Sequence, residues 1–140
     1  KVKSEGNYVN GKAEGVEKNY YKSGKLESEV PFKNAKREGV AKYYSENGIL
    51  VAEVPYKNDV TSGLGKQYNE KTGKLEREIP HKDGKIEGIE KIYDENGKLI
   101  GTITFENNQI MEEVTYKDGK IIDRKAYPLG KDLENELLKK

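Results

Sequence analysis

Polar and apolar residues alternate along this chain in short runs, and the runs repeat. Val16, Lys18 and Tyr20 fall on one parity, with Glu17 and Asn19 between them. Leu26, Ser28, Val30 and Phe32 do the same across Glu27 and Glu29. A period of two places alternate side chains on opposite faces of a strand, so the pattern predicts half-buried antiparallel strands. The same grammar recurs in units spanning 8–31, 32–55, 56–80, 81–104 and 105–127, with a partial unit at 1–7. Each of the four full units opens on a ring (Tyr8, Phe32, Tyr56, His81). A glycine follows (Gly15, Gly39, Gly63, Gly88), then a tyrosine (Tyr20, Tyr44, Tyr68, Tyr93). A second glycine (Gly24, Gly48, Gly73, Gly97) and a leucine (Leu26, Leu50, Leu75, Leu99) complete the pattern.

Two turns punctuate each unit. Asn10-Gly11, Asp83-Gly84 and Asp118-Gly119 are two-residue hairpin signals, because a type I′ turn needs positive φ at both central positions. Asn34-Ala35 and Asn58-Asp59 occupy the same place with poorer turn chemistry. A longer loop such as 21–25 closes the other end. Folding there puts Tyr20 opposite Leu26, Lys18 opposite Ser28 and Val16 opposite Val30. Counting from the tight turn puts odd positions inward before Gly39, whereas even positions are apolar after it; a β-bulge at each of these glycines is expected to switch the parity. The prolines Pro31, Pro55 and Pro80 fit strand positions whose N–H lies outside the ladder. The expected fold is all-β: an elongated, open-sided antiparallel meander of stacked hairpins, each shielding its neighbour. Beyond Tyr127-Pro128 the grammar changes. Leu133, Leu137 and Leu138 recur at helical spacing, predicting a short amphipathic helix at 131–139 within a C-terminal cap at 128–140.

Composition narrows the functions. Only 33% of residues are hydrophobic and 36% are charged, which suits a thin core extended in one dimension. A net charge of +1 lacks the concentrated basic field that nucleic acid requires. No apolar run approaches the roughly 18 residues of a transmembrane helix. Without cysteine there is no disulfide, thiol nucleophile or thiolate metal site. The first residue is Lys1, which points to a removed N-terminal segment and leans toward an exported or envelope-associated protein.

The phrases Tyr8-Val9-Asn10-Gly11-Lys12-Ala13-Glu14-Gly15 and His81-Lys82-Asp83-Gly84-Lys85-Ile86-Glu87-Gly88 resemble MORN repeats, and the bacterial variant class most nearly. The resemblance covers about 8–120, with departures at Ala35, Asp59, Ser62 and His81. It implies protein–protein contacts, membrane or phospholipid attachment, or an antitoxin role. Some lipid kinases carry such repeats beside a kinase domain, but repeat and cap leave no residues here for a catalytic one.

Candidate chemistry is sparse. His81 takes the aromatic slot of its unit, with no second histidine to share a metal or catalytic role. Gly63-Leu64-Gly65-Lys66 lacks phosphate-loop spacing. Glu29, Glu53 and Glu78 form a column expected on the solvent face, apart from the rings. Lys18, Lys42, Lys66 and Lys91 form a second column beside Tyr20, Tyr44, Tyr68 and Tyr93. These eight lysines and tyrosines are the candidate binding face. Its leading expected partner is another protein, since tyrosine offers large rigid area with a polar tip; anionic phospholipid headgroups come second. No cofactor, metal or enzymatic activity is expected.

Overall fold

The computed structural model describes residues 4–128. All regular structure among them is β: β1 (Ser4–Val9), β2 (Lys12–Tyr20), β3 (Leu26–Lys33), β4 (Lys36–Arg37), β5 (Gly39–Tyr44), β6 (Leu50–Lys57), β7 (Val60–Thr61), β8 (Gly63–Tyr68), β9 (Leu75–Lys82), β10 (Lys85–Ile86), β11 (Gly88–Tyr93), β12 (Leu99–Glu106), β13 (Gln109–Lys117) and β14 (Lys120–Ala126). They form one open antiparallel sheet in which long strands follow one another in chain order. The short β4, β7 and β10 extend the tight hairpins on β3, β6 and β9. The expected C-terminal helix lies outside the described residues.

The tight turns have the backbone their sequence asks for. Asn10-Gly11 has φ of 52° and 78°, and Asp83-Gly84 has 50° and 80°. Asn34-Ala35 and Asn58-Asp59 adopt the same form, with Ala35 held at 67° and Asp59 at 70°. Each turn leans on the previous one. Ala35 donates its N–H to the Ala13 carbonyl, Asp59 to Arg37 and Gly84 to Thr61. The glutamate before each bulge glycine reaches forward: Glu14 accepts the Asn34 N–H at 2.8 Å, and Glu38 that of Asn58 at 3.3 Å. Ser62, the departure at this position, has no carboxylate to offer.

The register corrects the expected pairing in two places. At the glycine, Phe32 faces Arg37 while Glu29 faces Lys42, so the two residues between these pairs on one strand match four on the other. Two extra residues leave parity unchanged, where a one-residue bulge was expected to switch it. Gly39 adopts φ of 115° there, and the Glu38 N–H bonds to the Pro31 carbonyl at 3.0 Å. The switch of face comes at the opposite end of the hairpin. Tyr20 pairs with Leu26, as expected, but Asn19 then pairs with Ser28, which leaves Glu27 bulged. Val51, Glu76 and Ile100 are skipped in the same way. Lys18 therefore opposes Glu29 rather than Ser28, and Val16 opposes Pro31 rather than Val30.

The consequence is two distinct faces, since directly paired residues share a face. The back face carries Ser28, Val30, Phe32, Ala41, Tyr43 and Tyr56, and the buried Val30, Ala41 and Ser28 belong to it, whereas the buried Val114 on β13 lies in line with Thr102 and Lys91 on the front. The front face carries Val16, Lys18, Tyr20 and their repeats. A single layer of sheet leaves no large side chain among the described residues fully buried, and stability passes from hairpin to hairpin.

Candidate binding face

All eight predicted site residues lie together on the front face, in two rows that cross the strands. The first joins each tyrosine to the leucine beside it: Tyr20 faces Leu26, Tyr44 faces Leu50, Tyr68 faces Leu75 and Tyr93 faces Leu99. The leucine of one repeat also shares a shallow hollow with the tyrosine of the next, as Leu26 does with Tyr44 and Leu75 with Tyr93.

The second row holds the lysines, and they are not alone in it. The glutamate column was expected on the other side of the sheet; the bulge at Glu27 and its repeats brings it to the front instead. Neighbour by neighbour the row reads Glu5, Lys18, Glu29, Lys42, Glu53, Lys66, Glu78, Lys91. Among the described residues none of these lysines makes an ion pair. The glutamates have internal partners. Tyr44 donates its hydroxyl to Glu29 at 2.7 Å, Tyr68 to Glu53 and Tyr93 to Glu78. The bond to Glu29 and partial burial push the Tyr44 pKa up to about 12. Tyr93 reaches about 12 for the same reasons through Glu78, and Tyr68 does so through burial first and Glu53 second. Tyr20 is raised by desolvation and by Glu5. The rings are thus anchored across repeats, each to a carboxylate fifteen residues earlier.

A third row was not expected to be open. Val16, Val40, Leu64 and Ile89, placed inward by the simple fold of the unit, are 45%, 46%, 47% and 54% exposed. Each faces a proline or threonine across the hairpin: Pro31, Pro55, Pro80 and Thr104. The result is an apolar stripe beside the charged row. The available sequence signal was the shared parity of these aliphatics with the lysines, which a solvated surface accounts for better than a core.

The back face has one irregular spot. Glu90 is only 4% exposed, and Arg77 reaches it at 3.0 Å. The equivalent positions in the first two repeats are Ser28 and Ala41. His81 lies against the bare backbone of Gly65, whose missing Cβ would stand 3.3 Å from the imidazole, and burial lowers the His81 pKa. Among the described residues no group of three or more His, Asp or Glu side chains is placed to hold a metal ion.

An open single-layer sheet of chain-ordered hairpins, with cross-repeat bonds in register, defines a tandem β-hairpin repeat protein. The family model described as MORN repeat variant matches residues 13–34, 37–58 and 86–107, and the chain carries MORN repeats of that class. No curated protein matches the chain. A chain from the crystal structure of accessory secretory protein 1,2 and 3 in Streptococcus pneumoniae is similar at 13% identity and a TM-score of 0.30. The match covers 83% of this chain but 19% of that one, and at that score it carries no argument.

Proposed function

We propose that this chain is a non-enzymatic protein-binding module that presents its front face to its partner. The observation that carries the proposal is the exposed stripe Val16, Val40, Leu64 and Ile89, held at the same position in four successive repeats. A solvated sheet face tends to place polar residues outward. Contiguous exposed apolar surface bordered by polar groups marks interaction sites. The stripe is bordered here by the charged row, and beyond that by half-buried tyrosines. Pre-anchored rings lose little conformational freedom on binding, which favours affinity.

A site-specific photo-crosslinker tests the assignment. Placed at Leu64 on the front face, it is expected to capture one or a few defined proteins in the native host. Placed at Gln67 on the back face, it is expected to give none of them. Capture from Gln67 and not from Leu64 overturns the face assignment.

The free lysine heads favour a second reading, attachment to anionic lipid. The intervening glutamates cancel most of their field within a Debye length of about 8–10 Å. Little sedimentation with anionic liposomes at low salt is therefore expected. Strong sedimentation, lost in a Lys42→Glu/Lys66→Glu variant, would replace the protein reading with the membrane one.

A further inference from the structure

The three front-face rows share a property that selects a partner: each alternates between two kinds of side chain from strand to strand. From β1 to β11 the charged row starts on Glu5 and ends on Lys91, so reversing its direction exchanges every sign. Consider two sheets stacked front to front and related by a two-fold axis between them. Let the axis run parallel to the strands and pass midway between Lys42 and Glu53. This rotation reverses each row and keeps it level with itself. Lys42 then meets Glu53 of the partner subunit, and Lys66 meets Glu29 of the partner subunit. The stripe behaves likewise: Val40 meets a proline and Leu64 meets another, because aliphatic and proline alternate along it. In the third row Tyr20, Tyr44 and Tyr68 meet leucines, Leu75 of the partner subunit, Leu50 of the partner subunit and Leu26 of the partner subunit.

We infer that the partner of the front face is a second copy of this chain, docked front to front as a two-fold dimer. The inference rests on the front face being the binding surface. An interface of this kind is isologous and self-complementary; under a single axis the charged row satisfies that condition from β1 to β11 and the other two rows from β2 to β9. Lysines without an internal ion pair gain one across the interface, while the second oxygen of each tyrosine-bonded carboxylate remains to receive it. The eight strands from β1 to β11 that carry the rows span about 40 Å, and the three rows about 20 Å, giving on the order of 800 Å² per copy. That matches the surface each partner contributes to a standard interface. An anionic membrane or an acidic peptide would match the lysines and be repelled by the glutamates between them.

Sedimentation equilibrium on the intact chain tests the dimer. Wild type is expected to dimerise, and Lys42→Glu/Lys66→Glu to weaken dimerisation at least about tenfold at low salt. Mixing that variant with Glu29→Lys/Glu53→Lys is expected to restore a heterodimer, since every cross-pair regains opposite charge. The glutamate substitutions remove hydroxyl acceptors and can impair folding. Leu64→Asp is therefore the second probe; its exposed side chain tolerates the change in the monomer, and it is expected to abolish the dimer. Wild type that stays monomeric up to about 1 mM overturns the proposal. So does a dimer that neither the lysine reversal nor Leu64→Asp disturbs. A monomer whose Leu64 crosslinks to a different protein overturns the dimer alone and leaves the binding face standing.

Discussion

At the scale of single residues, the departures from the repeat are the most informative positions. Arg77 and Glu90 stand where the first two repeats place Ser28 and Ala41, so the pair brings a compensated charge into an otherwise small, uncharged niche. Arg77→Ala leaves a buried carboxylate unpartnered and is expected to cost about 1–3 kcal/mol in chemical denaturation. The double change Arg77→Ser with Glu90→Ala recreates the arrangement of the earlier repeat and is expected to fall within about 1 kcal/mol of wild type. A double variant as unstable as the single one would show that the pair does more than satisfy itself. The tyrosine anchors carry a pH signature. Their folded pKa of about 12 lies above the unfolded value of 10.0. The stabilisation is complete below pH 10 and is lost as pH rises through 12, because the folded state holds its protons more tightly. Thermal melts across that window are expected to fall more steeply for wild type than for a Tyr44→Phe/Tyr68→Phe/Tyr93→Phe variant.

At the scale of the hairpin, backbone geometry sets what each repeat tolerates. Gly63 combines φ of 115° with a Cβ position 3.3 Å from the Pro55 ring. Gly63→Ala is expected to cost about 1–3 kcal/mol, measured by urea unfolding. Ala35 sits at φ of 67° in a turn that prefers glycine, so Ala35→Gly is expected to stabilise by about 0.5–1 kcal/mol. A loss on Ala35→Gly would contradict the turn assignment. The turn pairs, strand spans and leucine–tyrosine pairing were legible in the sequence, because they follow from spacing within one unit. The bulge at Glu27 and its repeats was not. Glu27 and Glu76 are acidic while Val51 and Ile100 are aliphatic, so no single residue type marks the skipped position. One missed residue there moved Glu29, Glu53 and Glu78 to the front and hid the apolar stripe.

At the scale of the molecule, a one-dimensional stack removes long-range dependence. Each hairpin touches only its neighbours, so excision of one whole unit is expected to leave the rest folded. Deleting 32–55 joins Pro31 to Tyr56 at equivalent points of the repeat. The product is expected to keep its β circular dichroism, melt cooperatively and show a lower Tm. Loss of all structure would argue for a core shared across the whole sheet.

The sequence alone determined the repeat length, the hairpin turns, the all-β class and the columns of lysine, glutamate, tyrosine and aliphatic residues, because each depends on local periodicity and local φ preference. Which columns share a face was decided only by the tertiary structure. Face is a matter of parity, and parity depends on how many residues each strand inserts against its neighbour. The glycine step inserts two and changes nothing; the step beside each leucine inserts one and changes everything after it. That count is set by the twist and contacts between strands, and it turned two separate charge columns into one alternating row.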